Sequence, residues 1–289
     1  MSYFDFLNGL PNLSWLGILS LFLLIFGRLL PIFALAPFLG TKVAPIPARV
    51  GLALSVACIF LPILAPMAEV SLSLDTAFIG YLFKELLVGF ILGLLISIPF
   101  FMVQSSGILI DYLRGASIMQ AQDPTMQNQA SPIGIFYNYL LIVIFFQVNG
   151  PFLFFNALSE SYTLIPPTHF LNPHLFDAHC PLWKTATSLA HQIATISIQL
   201  SAPALVAILM AEMFLGIANR LAPQVQIAFL GMPLKSLLGL MVLWAGWFFL
   251  LKQFGNHALK WVETMEKMMR SLPDSATEKT TEAIVQQWL

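Results

Sequence analysis

Apolar residues along this chain come in long runs separated by short polar intervals, the pattern of a polypeptide that crosses a bilayer repeatedly. A spanning helix needs about 20 predominantly apolar residues, and six intervals satisfy that length: Ser14 to Leu39, Val43 to Leu64, Phe78 to Val103, Gly134 to Leu158, Ala186 to Ile217 and Pro233 to Phe254. Pro31 and Pro37 fall inside the first and Pro203 inside the fifth, so these helices are expected to kink and to need neighbours for the carbonyls set free. In the third, Gly89 and Gly93 stand one turn apart, a pattern that lets two helix backbones approach closely. In the fifth, Ser188, Gln192, Thr195 and Gln199 share one face, with His191 beside them. Such a face either lines an aqueous path or bonds to a neighbouring helix.

The long polar interval is Gln104 to Ile133. It holds five glutamines and, as charges, only Asp111, Arg114 and Asp123, so it hydrogen-bonds without setting up a strong field. Loops of this length are uncommon unless functional or disordered. The composition suits a segment that lines or closes a wet passage, and the alternative is a neutral surface connector. Past the sixth run, Leu259, Val262, Met265, Met269 and Leu272 recur at helical spacing up to Pro273, and Ser275 to Glu278 has the form of a capping box. The chain therefore reads as a polytopic domain over residues 1–256 and an amphipathic tail over residues 257–289.

Composition agrees with the pattern: 58% of residues are hydrophobic, 9% are charged and the mean hydropathy is +0.83, outside the range of soluble domains. The expected fold class is an all-α polytopic membrane protein, with about six kinked helices in helical hairpins plus the tail. A formal charge of -1 without a basic patch gives nucleic-acid binding no support, and no nucleotide motif is present. The first residues lack the basic start and cleavage site of a secretory signal, so the first run is expected to remain in the mature chain. Cys58 lies in an apolar run and Cys180 in a loop, which gives no disulfide framework.

Ionisable residues inside apolar runs are functional candidates by default. Arg28 lies near the middle of the first run and Glu212 within the fifth. The turn from Thr41 to Arg49 is basic and belongs in the cytoplasm by the positive-inside rule. Lys252, Lys260, Lys267 and Arg270 pull the tail to the same side, while six crossings from an outside N-terminus would leave it outside. His169, His174, His179 and Cys180 are possible zinc ligands, but the prolines around them indicate a wandering loop, and neither a metal nor a cofactor is expected.

Three stretches together resemble the FliR/SctT family of type III secretion export-apparatus proteins. They are Gly27 to Gly40 running on to Pro47-Ala-Arg49-Val-Gly-Leu; Gly107 to Ser117 with Pro124, Ser131, Pro132 and Gly134; and Ala211 to Lys235, which includes Gly216, Asn219, Arg220, Pro223 and Gln224. The resemblance implies a non-enzymatic subunit of the export gate in the bacterial inner membrane. Its partners would be FliP/SctR-like and FliQ/SctS-like sister subunits, an FlhB/SctU-like switch subunit, unfolded polypeptides in transit and the lipid bilayer.

By the same resemblance the polar segment forms a plug. That assigns Asp111, Arg114, Gly115, Ser117, Met119, Gln120, Gln122, Asp123, Pro124 and Ser131 to the pore. Arg28, Arg49, Glu212, Arg220, Pro223, Gln224 and Lys235 are assigned to subunit interfaces or gating. The injectisome branch is favoured over the flagellar one. The competing readings are a secondary transporter using Arg28 and Glu212 as a substrate and proton site, and a structural scaffold in which the polar interval only connects.

Overall fold

A computed structural model describes residues 15–40, 44–65, 76–115, 131–169, 181–221, 227–256 and 261. Among them the secondary structure is helical throughout: α1 Trp15–Leu35, α2 Ile46–Leu64, α3 Thr76–Leu113, α4 Pro132–Gln147, α5 Gly150–Leu164, α6 Pro181–Leu221, α7 Ile227–Ala245 and α8 Trp247–Asn256, with a 3-10 turn at Pro37–Leu39. Among the described residues, four helices are long and apolar enough to cross a membrane, or up to six if α4 with α5 and α7 with α8 each count as one broken span. The chain is thus an all-α, multi-pass membrane protein. The amphipathic pattern of the tail falls, apart from Trp261, outside the described residues.

Four of the six runs differ from the sequence expectation in their limits or continuity. The first run stops as a helix at Leu35, because Pro37 disfavours helical backbone in the residue before it and opens a 3-10 turn that Gly40 closes at φ 81°. The third continues past Val103 to Leu113, so the first third of the polar interval is helical. The fourth breaks at Val148 and Asn149, where Asn149 adopts φ 57° ahead of Gly150 and Pro151. The sixth begins earlier than expected, at Ile227, and bends by 64° around Gly246 between α7 and α8.

The described residues divide into two compact units, one drawn from Met1–Ser97 and Phe152–Thr185, the other from Ile98–Pro151 and Ala186–Val262. In the first, Leu21, Leu24, Ile25, Leu29, Ile32 and Phe33 recur at three- and four-residue steps and form the buried stripe of α1. Gly89 and Gly93 of α3 lie against it. A Cβ on Gly89 would fall 2.1 Å from the Arg28 carbonyl oxygen, and one on Gly93 would fall 3.1 Å from the Ile32 Cα. The two glycines therefore let the α1 and α3 backbones touch. Phe60 of α2 meets Tyr162 of α5 with ring centroids 5.8 Å apart, and Phe38 meets Phe154 edge-on at 5.2 Å.

In the second unit, α3 and α4 make the same kind of contact, since a Cβ on Gly107 would fall 2.6 Å from the Gly134 Cα. Phe100 packs edge-on against Phe145 at 5.7 Å and Tyr137 against Phe254 at 5.3 Å. Ser197 of α6 donates its hydroxyl to the Met102 carbonyl at 2.9 Å. The buried face of α6 is Ser197, Leu200, Ser201, Ala204, Ile208 and Ala211. Ser188, Gln192 and Gln199, from the polar face noted in the sequence, are exposed on this chain.

Candidate functional site

The polar interval is held by its ends. Helix α3 reaches Leu113 because Met102, Val103, Ser106, Gly107, Ile110 and Asp111 continue one buried face. Ser106 donates to the Val103 carbonyl at 2.7 Å, so its hydroxyl is satisfied within the helix. Past Leu113 the chain turns at Gly115, which takes φ 84°, a left-handed conformation that suits glycine just beyond a helix C-terminus. On the far side, Ser131 caps α4 by accepting from the Gly134 N–H at 2.9 Å, and Pro132 occupies the first position of the helix.

Asp111 joins the two sides. Its Oδ2 accepts from the Ser131 hydroxyl and from the Ile133 N–H, the latter at 2.9 Å, while its Oδ1 lies 2.6 Å from Nη2 of Arg114. A carboxylate at the beginning of α4 is also favoured by the helix dipole. Arg114 in turn extends Nη1 to within 3.5 Å of the Ser236 hydroxyl on α7. One buried aspartate thus fixes the departure and the return of the chain at a single point. The intervening Ser117, Met119, Gln120, Gln122, Asp123 and Pro124 lie outside the described residues.

Arg28 is fully buried and faces protein. Its Nε and Nη2 donate to Glu85 at 2.6 and 2.9 Å, its Nη1 donates to the Ser161 carbonyl at 2.8 Å, and Nη2 donates to the Ile165 carbonyl at 2.6 Å. The guanidinium also lies 4.1 Å from the centre of the Tyr162 ring, a cation–π contact. Lys84 shares Glu85 at 2.7 Å and donates to the carbonyls of Pro166, Pro167 and His169 at 2.7, 3.2 and 2.9 Å. Sequence reasoning singled out Arg28 but not the partners that satisfy it.

Glu212 of α6 pairs with Lys235 of α7 at 2.5 Å, with side chains 40% and 23% exposed. The structure therefore brings together two residues that the sequence had only placed in one motif. Arg220 is exposed in the last turn of α6, whereas Pro223 and Gln224 lie outside the described residues. Arg49 is half-buried on α2 and reaches the Ala34 carbonyl at 3.5 Å. His169 is exposed beside Lys84's acceptors, and His174, His179 and Cys180 lie outside the described residues. No metal-binding cluster is present among the described residues.

A family model described as "Bacterial export proteins, family 1" matches residues 19–260. The chain is 34% identical over 169 residues to the secretion system apparatus protein SsaT of Salmonella typhimurium, covering 58% of this chain and 63% of that protein. It is 31% identical over 224 residues to the Yop proteins translocation protein T of Yersinia pestis, covering 76% and 83% of the two chains. It is also 30% identical over 223 residues to the flagellar biosynthetic protein FliR of Bacillus subtilis, covering 77% and 84%.

Proposed function

The chain belongs to family 1 of the bacterial export proteins, the FliR/SctT family of type III secretion, and from that premise we propose that it is a core subunit of the export gate whose polar segment closes the pore. The gate would sit in the bacterial inner membrane, built with FliP/SctR-like and FliQ/SctS-like subunits and met by an FlhB/SctU-like switch subunit. Relatives named for injectisome systems support the virulence branch. No catalytic role is proposed.

The observation that carries the closure reading is the Asp111 anchor. A segment of neutral, hydrogen-bonding side chains, tied at both ends to the packed helices α3 and α4, can be displaced by an incoming chain and return to the same place. Its glutamines both donate and accept hydrogen bonds, so they match the main chain of any unfolded polypeptide without selecting a sequence. Solute transport fits less well, because the donors of Arg28 are committed to Glu85, Ser161 and Ile165, and Glu212 is paired with Lys235.

Replacing Met119 to Gln129 with glycine in the assembled gate tests this reading. The expected result is leakage of ions or small molecules through membranes that carry the gate. Intact secretion with no added leak would remove the segment from the pore.

A further inference from the structure

The cluster around Glu85 contains two basic side chains and one carboxylate, with Arg28 and Glu85 0% exposed and Lys84 4% exposed. The shared carboxylate leaves a second positive charge to be met, and the groups that meet it are backbone carbonyls. Helix α5 ends at Leu164 because Pro166 and Pro167 cannot continue it. The last carbonyls of a helix lack partners in the helix and carry the negative end of its dipole. Arg28 bonds to the Ser161 carbonyl, which also accepts from the Ile165 N–H, and to the Ile165 carbonyl just past the helix, while Lys84 bonds to the carbonyls of Pro166, Pro167 and His169 in the turn that follows.

The level at which this happens is unusual for a helix end. Arg28 lies about 10 Å from the nearer end of α1, and Glu85 about 14 Å from the start of α3, at 1.5 Å per helical residue. Both α1 and α3 are candidate membrane spans. Irregular backbone at such depth is tolerated only where protein or water satisfies it.

We propose that Arg28 and Lys84 form a two-cation clamp on the backbone carbonyls at the end of α5 and in the turn that follows it, with Glu85 as shared counter-ion. The clamp holds residues 161–169 as a polar stop within the depth of α1 and α3. Lys84 and Glu85 are then positioning residues for the unit that contains them. An ordinary ion pair places no demand on carbonyls; this clamp requires donors at positions 28 and 84. The inference does not depend on the closure reading of the polar segment.

The test uses membranes carrying the assembled apparatus, in a background with Cys58→Ser and Cys180→Ser. Single cysteines are introduced by Thr168→Cys beside the clamp or by Ile96→Cys on α3, and a water-soluble maleimide reports their exposure. Lys84→Met should accelerate labelling at position 168 by about tenfold or more, the effect of losing charged hydrogen bonds, and leave position 96 slow. Lys84→Arg should keep both slow. The exchanged pair Arg28→Glu with Glu85→Arg should also expose position 168, because a glutamate at position 28 cannot donate to carbonyls.

Protection and secretion restored by that exchange would overturn the clamp in favour of a simple ion pair. Unchanged labelling in Lys84→Met would overturn it as well. Equal acceleration at positions 168 and 96 would assign Lys84 to the general core and overturn the local role.

Discussion

Removing the carboxylate of Asp111 should release the anchored end of α4 while leaving the helix itself folded. Asp111→Ala loses two bonds to a buried carboxylate, from the Ser131 hydroxyl and the Ile133 N–H, and leaves Arg114 without its counter-ion. Hydrogen bonds to charged groups contribute about 1.5–3 kcal/mol each, and a carboxylate at a helix N-terminus adds roughly 0.3–1 kcal/mol. These terms share one side chain and do not simply add, so about 3 kcal/mol is the expected loss, on the order of a 100-fold rise in the released population.

A cysteine replacing Ile133, a residue 6% exposed, reads that population through its rate of maleimide labelling. Labelling at position 133 should rise on the order of 100-fold in Asp111→Ala, and about tenfold in Asp111→Asn, which keeps one acceptor. A cysteine replacing Leu141, 1% exposed on the same helix, should stay protected. Rates at position 133 within about twofold of the parent would refute the anchor, since no 3 kcal/mol contact can be lost at that cost.

Three further predictions use the described geometry. Gly89→Ala puts a methyl group against the Arg28 backbone and should destabilise the chain by about 1–3 kcal/mol or more. Gly51→Ala meets nothing within 4 Å, and the greater helix propensity of alanine should leave it neutral or stabilise it by up to roughly 1 kcal/mol. Denaturation in detergent checks both. Glu212→Gln removes a partly exposed pair and should change the stability of the isolated chain by less than about 1 kcal/mol, while lowering recovery of sister subunits in a pull-down. A loss of several kcal/mol in that variant would show that the pair belongs to the core.

The six apolar runs were legible because each is long enough to announce a helix without its neighbours. The extension of α3 was not, because Gln104, Ser105, Ser106 and Asp111 resemble loop composition. The signal was the spacing of Val103, Ser106, Gly107, Ile110 and Asp111, one buried helical face on which Gly107 lies against Gly134. The break after Gln147 carried its own signal in Asn149-Gly150-Pro151, residues that suit a left-handed turn and a new helix start. Chemistry was harder to read than helices. Arg28 stood out as a buried charge, but Glu85 is 57 residues away, and the carbonyls of Ser161 and Ile165 have no side-chain signature at all. On α6, Ser197 bonds to the Met102 carbonyl of α3, while the more conspicuous Gln192 and Gln199 lie on the exposed face.

The most direct test of pore closure places a photo-crosslinking side chain at Gln122, with Tyr112 on the exposed side of α3 as a comparison, in a gate assembled in cells. An export substrate fused to a domain that cannot unfold is then stalled in transit. The account predicts that position 122 crosslinks to the stalled polypeptide and that position 112 does not. Position 122 giving the same products with and without substrate would contradict it.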